Sequence, residues 1–482
     1  PQPCSSAASD VYKRQAKLVN SLLLNRENKI LFFIDDDPNL WSRSIIGIPI
    51  KNPAVIDQFE NQIDILCLAI PTLSQNRKKF ILNKIYNFSF KVKVLPSFDE
   101  IISGNAQISE TRSVEIEDLI SRDIAKLDKS RINNTYNGKT ILITGGGGSI
   151  GQEITKQIFS VNPKRIIIMD FCEYNLYLLK NELVEKSNVE VDIVFILGNC
   201  CDQKLINNLF KEYRIEILIH CAAYKHVPLV EINPIIGLAN NILSTKILTD
   251  AAIKFNLDKA ILISTDKAVR PTNVMGASKR VAELIFANAQ EIVLKNKNYL
   301  KTKFSVVRFG NVLGSSGSVI PYFIKQIKEG GPVTITHPEI TRYFMTIKEA
   351  TILVLEASSF SKGGELFLLD MGEPLKILDL AKKLIKLNGL EVKNSSNKKG
   401  DIEIKFIGLR QGEKLFEELL IDGESEKTDN KYIFIGKESK IKLDKIKIKL
   451  INDLMISLIN QKKIESIKIL KELVPEWKQK IV

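Results

Sequence analysis

The sequence predicts an α/β protein built on a doubly wound parallel sheet, and three observations lead to this fold class. Apolar strand-like segments alternate with helical segments over most of the chain, which is the rhythm of parallel α/β units. A buried strand, Lys139–Thr144, runs directly into a glycine-rich turn and then a helix. The chain has 482 residues, of which 44% are hydrophobic and 26% are charged, a balance typical of two or three folded domains.

The first part of the chain predicts a smaller α/β domain. Residues 1–15 differ in composition from the rest of the chain, and we expect them to be a non-native scar. Within residues 16–132, strand patterns alternate with helical stretches at Ile30–Ile34, Ile63–Ile70 and Lys91–Leu95. An α/β unit of this kind usually opens with a strand and a glycine-rich turn. Because the scar occupies that place, we expect this domain to be truncated.

The main domain is predicted over residues 139–435, after a polar linker at 133–138. Its further strands are expected at Arg165–Asp170, Val191–Leu197, Ile217–Cys221, Lys259–Ser264 and Phe304–Arg308. A parallel sheet of this length carries helices on both faces, and we expect a smaller C-terminal subdomain that binds substrate. Residues 436–482 are rich in lysine and are predicted to form a helical tail.

Charge and cysteine content exclude several classes of protein. The chain has 69 Lys and Arg against 56 Asp and Glu, a net charge of +13. No aromatic residues stand among the tail lysines, as single-strand binding would need, so we expect a solvated lysine face and no nucleic-acid partner. No run of eighteen apolar residues predicts a membrane span, and the six cysteines form no CxxC pair. We therefore expect a soluble chain in a reducing compartment, without a disulfide framework or a metal site.

The glycine-rich turn predicts a dinucleotide site. Gly145, Gly148 and Gly151 stand three residues apart between a strand and a helix, the spacing that brings the backbone close to a pyrophosphate at a helix N-terminus. Asp170 ends the next strand, where an acid can bind the adenosine ribose and repel a 2′-phosphate. NAD is therefore expected, with NADP possible. The alternatives are a flexible glycine turn and a carboxylate that only caps the following helix.

A second polar group, Thr265-Asp266-Lys267, follows the strand that ends at Ser264. Since the carboxyl ends of parallel strands face the ligand crevice, an adjacent acid and base there predict proton transfers on opposite steps of one reaction. A salt-bridged surface turn is the plainer alternative. Lys279 lies on a helix twelve residues later, on the same face as Met275.

These motifs resemble the extended short-chain dehydrogenase/reductases, specifically the nucleotide-sugar 4,6-dehydratases of bacterial surface-polysaccharide and protein-glycan synthesis. The matching segments lie between about Gly138 and Glu418 and are Thr144–Gly151, Ala222–Pro228, Ser264–Lys267, Arg308–Gly314 and Arg410–Leu415. Asp35–Pro38 also looks like part of the nucleotide-binding-like domain that precedes the catalytic domain in the long, membrane-anchored members. The resemblance implies a Rossmann sheet in an N-terminally truncated, homo-oligomeric enzyme. It places the full-length protein at the cytoplasmic face of the bacterial inner membrane.

Position 275 departs from the wider superfamily, in which a tyrosine stands four residues before the lysine and acts as the base of the hydride step. A methionine thioether cannot accept a proton at neutral pH, so Met275 is expected to pack in the site. The long dehydratases similar to this chain also carry methionine there. Further departures are Asn199, where an acid is common, Phe171-Cys172 after Asp170, and Gln411 in place of proline.

By resemblance, the expected reaction converts UDP-N-acetylglucosamine to a UDP-4-keto-6-deoxy-N-acetylhexosamine. Lys267 is the expected base at C5, provided that burial or the nearby Lys279 and Lys225 lower its pKa. Asp266 is the expected acid for the C6 hydroxyl, Thr265 orients the 4-hydroxyl, and Lys279 binds the nicotinamide ribose. The group that finally accepts the 4-hydroxyl proton and the stereochemistry at C5 stay open. A UDP-sugar 4-epimerase and a non-catalytic dinucleotide sensor are the alternative functions.

The remaining site residues are assigned by their place in these segments. The expected catalytic set is Thr265, Asp266, Lys267, Lys279 and Met275. The expected cofactor-binding set is Gly145, Gly148, Ser149, Ile150, Gly151, Asp170, Asn199, Cys200, Ala222, Ala223, Lys279 and Val312. The expected substrate-binding set is Lys225, Thr265, Asn311, Arg342, Arg410 and Glu413. Arg342 and Arg410 are candidates to clamp the diphosphate, with surface ion pairs as the alternative, whereas His220 and His226 are expected to be structural.

Overall fold

A computed structural model describes residues 29–69, 75–85, 88, 90–94, 112–114, 118, 129–185, 191–395, 397–420, 424–440 and 443–478. The strands in chain order are Phe33–Ile34 (β1), Ser44–Ile45 (β2), Ile48–Lys51 (β3), Ile65–Leu68 (β4), Lys91–Val94 (β5), Arg112–Ser113 (β6), Thr140–Thr144 (β7), Arg165–Asp170 (β8), Asp192–Leu197 (β9), Ile217–His220 (β10), Lys259–Thr265 (β11), Lys303–Phe309 (β12), Asn311–Val312 (β13), Val333–Ile335 (β14), Thr341–Arg342 (β15), Phe344–Met345 (β16), Leu366–Leu369 (β17), Leu375–Lys376 (β18), Val392–Lys393 (β19), Ile402–Phe406 (β20), Ser425–Lys427 (β21) and Ile433–Gly436 (β22). The helices are Ile56–Phe59 (α1), Gln75–Ile85 (α2), Lys129–Tyr136 (α3), Ser149–Phe159 (α4), Glu173–Glu185 (α5), Gln203–Tyr213 (α6), Val227–Ile232 (α7), Pro234–Leu238 (α8), Ser244–Lys254 (α9), Val274–Lys295 (α10), Val319–Lys328 (α11), Ile347–Phe360 (α12), Ile377–Leu387 (α13), Lys445–Ile459 (α14) and Lys463–Leu473 (α15).

The smaller of two units takes its described residues from three stretches of the chain, Pro1–Asp123, Ile327–Pro332 and Ala381–Ile404. The strands of the first of these stretches form two three-stranded sheets, in the orders β1-β3-β2 and β4-β5-β6. The structure has strands at the three predicted places, as β1, β4 and β5, whereas the expected scar at 1–15 lies outside the described residues. The grouping of 327–332 and 381–404 with this unit differs from the predicted boundary, which gave both stretches to the main domain.

The larger unit contains a nine-stranded sheet with the order β21-β22-β17-β12-β11-β10-β7-β8-β9. Neighbouring strands from β9 to β17 pair in parallel, and β22 joins β17 antiparallel. The chain runs outward from β7 to β9, crosses back to β10, and then runs outward in the other direction. The sheet therefore reverses between β7 and β10, where such folds bind their ligands. The predicted doubly wound α/β fold class is confirmed.

Side chains of one central strand show how the sheet is covered on both faces. On β7, Ile141 and Ile143 pack into one apolar cluster with Ile154 of α4. Leu142 packs into the cluster of the opposite face with Leu209 of α6. All five side chains of the strand are buried, as expected where helices cover both faces of a parallel sheet.

Residues 133–138, which the sequence predicts as a linker, are partly helical in the structure. Residues 133–136 form the end of α3, and Tyr136 is completely buried. The Tyr136 hydroxyl contacts the hydroxyl of Ser358 on α12. This segment is therefore part of the core of the larger unit. Burial of the aromatic ring of Tyr136 is favourable, and its hydroxyl keeps a polar partner there.

The lysine-rich tail predicted at 436–482 is also part of the larger unit. Helices α14 and α15 bury Leu454 and Leu470 in one apolar cluster with Val281 and Ile285 of α10. The segment contains helices, as expected, and it packs on the larger unit because the lysines are distributed along helices whose other face is apolar. No helix among the described residues is long and apolar enough to cross a membrane.

This packing predicts a difference between two substitutions on α15. Leu470→Ala removes a side chain with 0% exposure and should lower the free energy of unfolding by about 2–5 kcal/mol. Ile464→Ala on the same helix removes a side chain that is 89% exposed and should change it by less than about 0.5 kcal/mol. Denaturant unfolding of both variants measures the difference. Equal, small effects would show that the helix does not share the core.

Candidate active site

The glycine-rich turn between β7 and α4 is fixed by close backbone contacts. Gly145 has a φ of +67°, and a Cβ there would lie 2.6 Å from the Ala222 backbone nitrogen at the end of β10. A Cβ on Gly151 would lie 2.2 Å from the Gly145 carbonyl oxygen. Side chains are therefore excluded at both positions, as the dinucleotide motif requires. Gly148 stands at the N-cap of α4 and supplies no side-chain hydrogen bond to the helix.

Asp170 has a contact that the sequence did not indicate. Its Oδ2 accepts the Gly147 N–H at 2.9 Å, and its Oδ1 accepts the Cys172 N–H at 2.9 Å. The carboxylate thus holds the glycine turn in place from the end of β8. Since a carboxylate has about four acceptor positions, two remain for ribose hydroxyls. The geometry at the glycine turn and Asp170 fits a bound dinucleotide.

The other predicted cofactor residues lie around the same switch point. Ala222 and Ala223 follow β10 beside Gly145, and Val312 is buried on β13. Ser149 starts α4, where its Oγ accepts the Ser316 N–H at 3.3 Å, and Ile150 packs on the core. Cys200 is buried, and burial raises the pKa of its thiol to about 12. Asn199 is exposed and accepts the Cys201 N–H at 2.8 Å, so it shapes the turn after β9.

The two histidines differ in environment. His220 on β10 is buried, with Nδ1 2.8 Å from Thr144 Oγ1 and Nε2 3.1 Å from Thr245 Oγ1. Burial, with the charge of Lys279, lowers its pKa to about 3. A neutral histidine with both nitrogens bonded has the structural role expected for it. His226 is exposed, and its ring packs so close to Gly317 that a Cβ there would lie 2.4 Å from His226 Cε1.

The predicted acid and base meet where β11 ends. The Thr265 hydroxyl donates to Asp266 Oδ1 at 2.8 Å, and Lys267 Nζ donates to the same oxygen at 3.0 Å. Lys267 Nζ also donates to Asn311 Oδ1 at 3.0 Å. Asp266 is 1% exposed, and its Oδ2 has no hydrogen-bond partner among the described residues. A salt-bridged surface turn does not describe this buried cluster.

A third carboxylate, Glu417, belongs to this cluster and was missed in the sequence. Its Oε1 lies 3.6 Å from Lys267 Nζ, and its side chain is 3% exposed. Glu417 follows the Arg410–Leu415 motif and precedes Glu418, which is exposed and pairs with Arg270 at 2.8 Å. Two adjacent glutamates look alike in a sequence, so the local pattern contains no signal that separates the buried one from the exposed one.

The pKa of Lys267 is not lowered in the structure, although its predicted role as a base requires this. Burial lowers the pKa of Lys267, but the charges of Asp266 and Glu417 raise it by more, so that the pKa lies above its ordinary value. Lys279 and Lys225 were expected to lower it. Instead, burial lowers the pKa of Lys279 itself to about 8. Burial, together with the charge of Lys267, lowers the pKa of Lys225. Lys267 is therefore cationic in this ligand-free geometry.

Helix α10 joins Lys279 and Met275 to the rest of the site. Met275 is 3% exposed and lies in the apolar cluster of α10, α14 and α15, which fits a packing role. Gly276 lies against the catalytic turn, since a Cβ there would be 2.2 Å from the Lys267 carbonyl oxygen. The helix and the turn with Asp266 and Lys267 thus keep a fixed separation.

A buried ion-pair network lies next to the cluster. Arg308 on β12 has 0% exposure, and both its Nε and its Nη2 donate to Glu283 of α10 at 2.7 Å. The Ser264 hydroxyl donates to the same carboxylate at 2.7 Å. Arg308 also contacts Glu438 at 3.1 Å. The residue just before Thr265 is therefore fixed to β12, α10 and the segment after β22.

Arg342 is held by contacts within the protein. Its guanidinium donates to the carbonyls of Thr341, Lys414 and Leu415 and lies 3.5 Å from Glu413. These contacts direct its donors to the segment that carries Glu417, so Arg342 braces that segment, and a diphosphate contact of Arg342 stays a prediction. Glu413 also accepts the Arg410 N–H at 3.0 Å, which leaves the exposed Arg410 as the candidate for anion contact. The side-chain oxygen of Asn311, another predicted substrate-binding residue, accepts a hydrogen bond from Lys267 Nζ.

A reversing parallel sheet with a glycine turn at its switch point, and a lysine-bearing helix beside the polar end of β11, define an extended short-chain dehydrogenase/reductase. Residues 141–438, more than half of the chain, match the family described as polysaccharide biosynthesis protein. The chain belongs to this family. The class predicted from the motifs is confirmed.

Several relatives show how far the likeness extends. The capsular polysaccharide biosynthesis protein CapD of Staphylococcus aureus is 42% identical over 412 residues, which are 84% of this chain and 66% of that protein. The chain thus spans just under two thirds of this relative's length. The X-ray structure of Pen from Bacillus thuringiensis has 34% identity and a TM-score of 0.55, over 62% of this chain and 89% of that chain.

Two further relatives are equally similar but have different names. A UDP-N-acetylglucosamine 4,6-dehydratase (inverting) of Campylobacter jejuni is 34% identical over 295 residues, 61% of this chain and 80% of that protein. A UDP-glucose 4-epimerase of Rickettsia rickettsii is 34% identical over 296 residues, again 61% and 80%. Identity alone therefore does not separate the two activities.

The lowered pKa of Lys279 predicts a change of stability with pH. Between about pH 8 and 10.5, the unfolded chain keeps the Lys279 proton and the folded chain loses it, so the free energy of unfolding rises with pH. Lys279→Met removes this term. The difference in unfolding free energy between the native chain and Lys279→Met should grow by roughly 1–3 kcal/mol across that window.

Lys295→Met, at an exposed lysine of the same helix, is the matched control and should show a constant difference. Urea unfolding at a series of pH values gives both curves. A constant difference for Lys279→Met would mean that the ammonium is not desolvated in the folded chain.

Proposed function

We propose that this chain is a nucleotide-sugar 4,6-dehydratase that converts UDP-N-acetylglucosamine to a UDP-4-keto-6-deoxy-N-acetylhexosamine. The observation that carries the proposal is the hydrogen-bonded set Thr265, Asp266 and Lys267 at the end of β11. Elimination of water needs an acid and a base together beside the sugar. The name of the Campylobacter relative supports the same reaction.

The glycine turn, the N-terminus of α4 and Asp170 would hold the dinucleotide, with Lys279 at its nicotinamide ribose. Bound NAD, the cofactor we propose, would supply hydride acceptance at C4 and hydride donation at C6, and it would not be consumed. The carboxylate of Asp170 favours NAD over NADP, because its charge would repel a 2′-phosphate.

The side chains of the cluster divide the proton transfers among them. Thr265 orients the sugar 4-hydroxyl, and the positive charge of Lys279 favours loss of its proton. A ketone at C4 acidifies the C5 proton, which Lys267 removes as the base. Asp266, which must be protonated at that moment, gives its proton to the C6 hydroxyl, which leaves as water, and the proton released from the 4-hydroxyl restores the acid, so that the protons balance. Lys267 must first lose a proton of its own, because its pKa is raised in the ligand-free geometry.

A 4-epimerase is the second candidate, since the Rickettsia relative carries that name at equal identity. An epimerase needs the hydride step but no acid–base pair for elimination of water. A sensor that only binds the dinucleotide needs neither, and the cluster argues against it. Location of the full-length protein at the cytoplasmic face of the inner membrane, and assembly into a homo-oligomer, stay predictions from the resemblance.

The test is incubation of the protein with UDP-N-acetylglucosamine and NAD, followed by mass spectrometry and NMR. We expect a 4-keto product lighter by one water. Lys267→Ala should slow its formation by about 10²–10⁴-fold. Lys437→Ala, at an exposed lysine that pairs with Glu424, should leave the rate unchanged. The C4 epimer as sole product would replace the dehydratase by an epimerase, and full activity of Lys267→Ala would remove Lys267 as the base.

The packing role of Met275 predicts how two substitutions on α10 differ. Met275→Leu keeps volume and apolar character, a change that costs less than about 1.5 kcal/mol of stability, so turnover should stay within roughly tenfold. Lys279→Met should do much worse, because it removes the ribose contact and the charge. Steady-state kinetics compare the two. Equal, severe losses in two folded variants would show that the thioether has a chemical role.

A further inference from the structure

Glu417 is a buried carboxylate for which the proposed reaction has no use so far. Its Oε1 lies 3.6 Å from Lys267 Nζ and 3.8 Å from Arg342 Nε. Its Oε2 is buried and has no hydrogen-bond partner among the described residues. Arg342 binds the carbonyls of Lys414 and Leu415, so the segment that carries Glu417 is anchored. A carboxylate held in this way costs solvation energy, which indicates a role for it.

The surroundings of Lys267 show what that role is. An ammonium group has three N–H donors, and Nζ has three oxygens around it. Asp266 Oδ1 and Asn311 Oδ1 lie at 3.0 Å, and Glu417 Oε1 lies at 3.6 Å. An ammonium has no lone pair and cannot accept the C5 proton. The base of the reaction therefore needs a nearby group that takes one of its protons.

We propose that Glu417 is a positioning residue that takes a proton from Lys267 and so frees the amine that acts at C5, an inference that rests on the dehydratase function proposed above. One Nζ–H bond breaks and one O–H bond forms on the Glu417 carboxyl, while the electron pair of the broken bond stays on nitrogen. Nothing is oxidised or reduced, and the net charge of the pair stays zero. Once Lys267 has returned the C5 proton to the product, the reverse transfer restores the pair.

The charges around Glu417 favour this transfer. The groups that face it are Lys267 and Asp266 of the catalytic turn, Arg342 of β15 and Lys414 of its own segment. Burial raises the pKa of Glu417, so the carboxyl accepts a proton readily. A protonated Glu417 carries no charge and no longer raises the pKa of Lys267. Of the two carboxylates, Asp266 then remains to counteract burial, which lowers that pKa. Transfer of the proton to Glu417 therefore lowers the pKa of Lys267 and stabilises its neutral amine form.

The test compares pH profiles of turnover, since the internal transfer leaves the number of bound protons unchanged. The native chain should show no ascending limb from this pair near neutral pH. In Glu417→Gln the amide cannot accept a proton, so Lys267 must release its proton to solvent. We expect this variant to be slower by roughly 10- to 100-fold at pH 7 and to gain about tenfold per pH unit as the pH rises.

Two variants serve as controls. Glu418→Gln changes the neighbouring exposed glutamate, which pairs with Arg270, and should keep the native profile. Glu417→Asp keeps a carboxyl group and should restore the flat profile at a reduced rate. A purely structural role of Glu417 would instead give the same fractional loss at every pH. That result, or a native profile in Glu417→Gln, would overturn the proposal.

A spectroscopic measurement separates this inference from the proposed function. Infrared difference spectra between the native chain with and without NAD and UDP-N-acetylglucosamine should show the carbonyl band of a carboxyl group that becomes protonated in the complex. The band should vanish in Glu417→Gln and persist in Glu418→Gln. Absence of the band in the native chain overturns the role of Glu417 even if the dehydratase is active. A native chain that shows the band but forms no 4-keto sugar overturns the dehydratase proposal alone.

Discussion

The pair formed by Arg308 and Glu283 is the interaction on which the rest of the larger unit depends. A guanidinium with 0% exposure is tolerated only if a carboxylate binds it with good geometry, and Glu283 does so at 2.7 Å. Burial raises the pKa of Glu283, but the charge and hydrogen bonds of Arg308 outweigh burial and lower that pKa to about 2. One carboxylate thereby joins β12, α10 and, through Ser264, the end of β11. The acid and base of the site, Asp266 and Lys267, follow Ser264 by two and three residues.

Most of what the sequence predicts correctly is local. The strands of the large sheet, the glycine turn and Asp170 follow from apolar runs and spacing, and those patterns depend on neighbours along the chain. The failures involve long-range contacts. Nothing near Arg342 in the sequence reveals that its donors would bind carbonyls at 414 and 415. Nothing near Glu417 reveals that it would lie beside a lysine 150 positions earlier.

Formal charge is a poor guide to the structure in two places. The lysines of residues 436–482 predict a tail, although the leucines among them decide where this segment packs. Burial and neighbouring lysines predict a neutral Lys267, although two carboxylates face it and outweigh both. In both places the formal charge of a residue says less about its packing or its pKa than its surroundings do.

Met275 and the paired helices α14 and α15 share one apolar cluster, which constrains how the site could evolve. A tyrosine at position 275 would carry a hydroxyl into that cluster, and a buried hydroxyl without a partner costs about 1–3 kcal/mol. Met275 and the C-terminal helices therefore depend on the same packing. A change from methionine to the superfamily's tyrosine would act on these helices as well as on the site.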